Sequence, residues 1–103
     1  IQFTHRMVGY TLALVALAHL VDALASTRER GVRRGALAVT VAIAVQIAIG
    51  VMTLLARVPI DLALLHQATA LIVLMLAVLH AERLTRPAAA PAPAAPDLVL
   101  AAR

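Results

Sequence analysis

Cysteine is absent from the 103 residues, and so is tryptophan. The first absence excludes disulfides, iron–sulfur clusters and thiolate ligands, so any metal chemistry falls to His, Met or carboxylates. Lysine is missing as well: all nine basic residues are Arg. Aromatic residues make up only 2% of the chain, too few to stack bases, and the net charge of +4 is carried mostly by one short segment. The pI near 11.5 therefore does not point to nucleic acid, and no nucleic-acid partner is expected. No Ser-His-Asp arrangement, phosphate-cradling glycine loop or pair of catalytic carboxylates is present either.

Apolar residues fill the space these absences leave. They amount to 63% of the chain, with a mean hydropathy of +0.97, against roughly 45–50% apolar residues in soluble domains. Charged residues are 14% and gather at the ends of apolar runs, as a lipid-embedded bundle requires. The expected class is an all-α integral membrane protein with the lipid bilayer as its first partner.

The first run, Met7 to Ala25, is about 28 Å long as a helix, close to the roughly 30 Å of a bilayer's hydrocarbon layer. Ser26, Thr27 and the charged stretch Arg28 to Arg34 end it. A second run, Gly35 to Ala56, holds no charge, and its only strongly polar side chain is Gln46. Ala38, Ala42 and Gly50 make one of its stripes small enough for close helix approach. Arg57-Val58-Pro59-Ile60-Asp61 is a tight turn, with Pro59 suited to a helix start and Asp61 favourable near a helix N-terminus. The third run, Leu62 to Leu79, is just long enough to cross. The pattern predicts helices over about 5–26, 35–57 and 60–83 within a bundle of residues 1–86. Residues 87–103 begin with a stretch of only Ala and Pro and read as a disordered tail. The start at Ile1, without Met, reads as that of a fragment.

The segment Arg28 to Arg34 holds four Arg and one Glu, whereas the turn Arg57 to Asp61 holds one Arg and one Asp. The former, and with it the C-terminus, is expected on the cytoplasmic side. Helices one and three then run parallel, with His5 and His66 toward the outer face. His19 follows His5 by 14 residues and His80 follows His66 by 14, a separation of about 21 Å and nearly four turns. Parallel helices carrying matched His pairs are how cytochrome b-type bundles hold hemes, each iron taking one imidazole from each helix.

The four imidazoles carry this expectation unequally. His80, beside Glu82 and Arg83, reads as an interfacial polar residue, and His19 as half of a local pair with Asp22. His5 and His66 instead sit next to Arg6 and Gln67. Arg6 suits a heme propionate, and Gln67 offers a hydrogen bond beside the ligand. Gln46 is expected to bond across helices, Arg57 and Asp61 to pair at the surface, and Met7, Met52 and Met75 to fill apolar space.

The segments Gln2-Phe3-Thr4-His5-Arg6-Met7 and Leu65-His66-Gln67-Ala68, their order and their separation resemble the C-terminal half of the heme A synthase family. The resemblance covers about residues 1–86. It implies three helices of a four-helix heme-binding half and one bis-His heme b with His5 and His66 as its axial ligands. It also implies substrate heme O bound in an N-terminal half outside this chain. The family is implied to act as an oxidoreductase, converting the heme O methyl group to the formyl of heme A for cytochrome c oxidase biogenesis. The chain alone is then inert. The setting would be the bacterial inner membrane, with heme O synthase, cytochrome oxidase assembly factors and a second copy of the chain as partners. His19 and His80 lie outside the family's motif, which weakens a second heme. A di-heme electron carrier and a heme-free assembly subunit remain the competing expectations.

Overall fold

The computed structural model describes residues 1–87 and Ala92, and among them every regular element is helical. Three helices follow one another: α1 (Gln2–Ser26), α2 (Arg30–Leu55) and α3 (Ile60–Thr85). All three are long and apolar enough to cross a membrane. The disordered tail expected over 87–103 lies outside the described residues, apart from Pro87 and Ala92.

Helix α2 begins at Arg30, so most of the charged stretch expected as a loop is helix, and the connection shrinks to Thr27, Arg28 and Glu29. The reason is physical: Arg is a good helix former, and its long stem lets the charge reach water while the backbone stays wound. The Glu29 N–H donates to Thr27 Oγ1 at 3.2 Å, fixing the short connection.

The other turn is tighter. The Val58 N–H donates to the Thr53 carbonyl at 2.8 Å and the Arg57 N–H to the Leu54 carbonyl at 3.1 Å. This is the paired 6→1 and 5→2 bonding of a Schellman end. Such an end favours glycine, yet Arg57 and Val58 occupy it with φ of 65° and 60°. A β-branched residue in the left-handed region is strained. Pro59 follows at the N-cap of α3, and Asp61 stands in its first turn. The expected Arg57–Asp61 ion pair does not form; among the described residues the ion pair found is Arg86 with Glu82, at 4.0 Å.

The middle of the layer is α2, which packs against both neighbours, whereas α1 and α3 bring no Cα atoms within 8 Å of each other. Little is buried: Ala16, Ala23, Ala36 and Ile43 among apolar residues, Thr53 and His80 among polar ones. The small stripe expected to face other helices is only partly turned inward, since Ala38 is exposed and Ala42 and Gly50 are half-buried. Polar ties set the register instead. Thr40 Oγ1 donates to the Ala16 carbonyl of α1 at 3.2 Å and to the Ala36 carbonyl of its own helix at 2.8 Å. Gln46 Nε2 donates to the His66 carbonyl of α3 at 2.8 Å, and Thr69 Oγ1 donates to Gln46 Oε1. In hydrocarbon such bonds stabilise by roughly 0.6 kcal/mol each.

Candidate functional site

Although their backbones stay apart, α1 and α3 meet through imidazoles at two levels. Near the start of each helix, the His5 and His66 rings lie with centroids 6.1 Å apart and planes at 83°. Nearly four turns further on, the His19 and His80 rings lie with centroids 5.1 Å apart and planes at 64°. The pairing expected from the 14-residue spacing is therefore present at both levels.

Each pair is seated on a glycine of α2. A Cβ added at Gly50 would stand 2.9 Å from His66 Cε1, and one added at Gly35 would collide with the His80 ring. Because α2 runs antiparallel to its neighbours, Gly50 falls at the His5/His66 level and Gly35 at the His19/His80 level. Any other side chain there would crowd the imidazole.

The two levels then differ. At the first, a cavity of about 450 Å³ opens beside His5 and His66, within the 300–1,000 Å³ range of cofactor pockets. Arg6, Tyr10, Ile43, Gln46, Gly50 and Val58 are among the residues that line it. Gly9 lies one turn from His5, and a Cβ there would meet nothing within 4 Å. His66 Nδ1 is buried against α2 without a hydrogen-bond partner. Its Nε2, unlike Nδ1, is not fully buried.

At the second level, His19 Nε2 and His80 Nε2 are hydrogen-bonded at 2.8 Å. The local His19–Asp22 pair does not form; Asp22 Oδ1 accepts from Ser26 Oγ at 3.0 Å. Nor is His80 an exposed interfacial residue: it is 8% accessible. Its neighbour Arg83 caps the same region by donating from Nη1 to the Gly31 carbonyl at 3.1 Å.

These distances test what each pair can hold. Two imidazoles bound on opposite sides of one metal through bonds of about 2 Å have nitrogens about 4 Å apart and centroids about 6 Å apart. The 6.1 Å between the His5 and His66 centroids matches the second figure, and the 2.8 Å between the His19 and His80 nitrogens is too short for the first. No group of three His, Cys, Asp or Glu side chains capable of holding a metal ion occurs among the described residues. A metal at the first level thus needs its remaining ligands from elsewhere, as an iron in a porphyrin has them. The residues present fit a heme there.

Of the four residues expected at the site, His5, Arg6 and His66 line the cavity, while Gln67 is exposed and does not. Gln67 follows His66 by one residue, which turns it about 100° around the helix. The amide that reaches the site is Gln46, whose hydrogen bond to the His66 carbonyl fixes this turn of α3 against α2. Gly35 was not singled out in the sequence, and Gly50 only as part of a stripe. What identifies both is their register opposite His80 and His66.

A membrane-spanning helical layer with a two-imidazole cleft is thereby defined, and comparison with known proteins places it. Residues 1–78 match the COX15-CtaA family, cytochrome oxidase assembly protein, and the chain belongs to that family. It is 50% identical over 102 residues to the heme A synthase of Bradyrhizobium sp. (strain ORS 278), covering 99% of this chain and 28% of that protein. It is 47% identical over 102 residues to the heme A synthase of Rhodopseudomonas palustris (strain BisA53), with the same coverage of 99% and 28%. A third relative, the heme A synthase of Bradyrhizobium sp. (strain BTAi1 / ATCC BAA-1182), is 53% identical over 85 residues, covering 82% of this chain and 24% of the relative. The chain thus spans about a quarter of the length of the relatives it matches. No solved structure matches it.

Proposed function

We propose that this chain is the C-terminal, heme b-holding part of a heme A synthase. Its role is electron transfer and scaffolding in support of oxidising the heme O methyl group to the formyl of heme A for cytochrome c oxidase. The observation that carries this reading is the 6.1 Å separation of the His5 and His66 rings beside an open cavity. His5 and His66 would hold the heme iron, with the His66 ring seated on Gly50 and its backbone fixed by Gln46. Arg6, exposed at the mouth of the cavity, pairs with a propionate. When bound there, a heme b supplies a one-electron couple whose potential depends on bis-imidazole ligation and burial. The apolar walls, Ile43 and Val58 among them, keep water from the ligands.

In this reading the substrate heme O binds outside the span of the chain, which alone is catalytically inert. The Arg-rich end at Arg28 to Arg34 lies on the cytoplasmic side of a bacterial inner membrane, and the His5/His66 end on the outer side. Heme O synthase and other cytochrome oxidase assembly factors are the partners this role implies.

The test is a reduced-minus-oxidised spectrum with heme quantitation of the intact membrane protein, beside His5→Leu and His66→Leu. Each substitution is expected to remove the same b-type band and one heme per polypeptide. Unchanged heme content in both variants would sink the reading.

A further inference from the structure

We propose that His19 and His80 form a tie between α1 and α3 that sets the separation of His5 and His66, which makes them positioning residues for the heme site. This inference rests on the role given to His5 and His66 above. Its starting point is the weakness of the α1–α3 relation: the two helices bring no Cα atoms within 8 Å of each other and are joined mainly through α2. Axial ligation tolerates errors of only about 0.5 Å. Something must therefore hold the two outer helices at a defined distance.

The His19–His80 bond is the one direct polar link between α1 and α3 among the described residues. It is placed to act on the site, four turns along the same two faces that carry His5 and His66. It is also built in. His80 is 8% accessible, its ring rests where Gly35 has no side chain, and Arg83 reaches back over the same end to the Gly31 carbonyl. Neither imidazole has another hydrogen-bond partner here, so each depends on the other.

The bond also assigns the tautomers. His80 Nδ1 is buried without a partner. Leaving a bare acceptor unpaired costs less than burying an unpaired N–H, since orphaned buried N–H groups are the rarer kind. His80 therefore carries its hydrogen on Nε2 and donates it, and His19 Nε2 accepts, with the His19 hydrogen on Nδ1.

The experiment uses the intact membrane protein with ¹⁵N-labelled histidine. Nitrogen NMR is expected to show His80 protonated at Nε2 and coupled through a hydrogen bond to His19 Nε2. Heme retention is then measured against a heme-scavenging apoprotein. His19→Leu and His80→Leu are each expected to weaken retention on the order of tenfold, the lower end of what supporting partners of ligands contribute. The double variant should be no worse than either single one, because a single interaction is lost. His19→Gln, whose amide oxygen can accept from His80, should recover most of the retention. Absence of the nitrogen–nitrogen coupling in the wild-type protein, unchanged retention in the Leu variants, or losses that multiply in the double variant would overturn the tie. Leu variants too unstable to purify leave the wild-type coupling and His19→Gln to decide. A wild-type protein without b-type heme overturns the reading of His5 and His66, and does so before any substitution is made.

Discussion

The two ends of the helical layer are built from the same parts and differ in how those parts meet. Each brings one imidazole from α1, one from α3 and a glycine from α2 that makes room for the ring. At one end the rings stand apart beside a cavity of about 450 Å³; at the other they touch through a 2.8 Å hydrogen bond. Ring centroids 6.1 Å apart at one end and 5.1 Å apart at the other separate an open pair from a closed one. The lesson is that a pair of histidines at matched positions does not specify a cofactor; whether the rings stand apart or touch decides if there is room for one.

The sharpest way to break the comparison is at the two glycines. Gly35→Ala forces a methyl group into a buried, hydrogen-bonded ring with nowhere to retreat. Overpacking of this kind costs typically 1–3 kcal/mol, and the upper end is expected, read as a lower midpoint of thermal unfolding in detergent. Gly50→Ala meets His66 less severely, at 2.9 Å, and that ring borders open space. It should cost about 1 kcal/mol in stability, near the bottom of the same range, but displace the His66 ring and visibly broaden or shift the b-type band. Equal stability losses at the two glycines, with no spectral change at Gly50, would erase the distinction between the ends.

A smaller effect is expected at Gln46, which serves only the cavity end. Gln46→Leu removes its bonds to the His66 carbonyl and to Thr69 and should cost about 1 kcal/mol, within the range measured for polar ties between membrane helices. The loss should come with weaker heme retention, checked by the same scavenging assay, while the His19–His80 nitrogen coupling stays unchanged. The smallest effect is a gain. Val58→Gly relieves a φ of 60° at the turn beside the cavity and is expected to raise stability by about 0.5 kcal/mol, since part of the relief is lost to the greater freedom of the unfolded chain. Thermal unfolding of the heme-free protein measures it.

The spans, their order and the meeting of His5 with His66 were legible because apolar run length and 14-residue spacing survive any detail of packing. Gln46 was legible as the lone polar side chain in a run without charge. What stayed hidden depends on register between helices. Asp22 lies three residues from His19 and looked like its partner, yet His80, 61 positions away, takes that place. Gln67 adjoins His66 in sequence, and the turn of the helix carries it away. Gly35 and Gly50 acquire meaning only once α2 is slid against α3. The start of α2 was misplaced for a simpler reason: charge marks where the hydrocarbon ends, and a helix need not end there.

The shortness of the buried roster has its own consequence. Six of the described residues are buried, and Phe3, Leu14, Leu55, Ile60 and Leu71 are among the many large apolar side chains that face outward. Where these faces meet lipid they are asked only to be oily, and one branched aliphatic residue serves as well as another. A saturation scan would read as long permissive tracts in which Leu, Ile and Val interchange. They would be interrupted by a thin ladder of intolerant rungs: the four histidines, Gly35, Gly50, Gln46 and the alanines between the helices. The specification of this protein is written along the seams of α2, in small and polar letters, and the hydrophobic majority of the sequence serves as its solvent-matched margin.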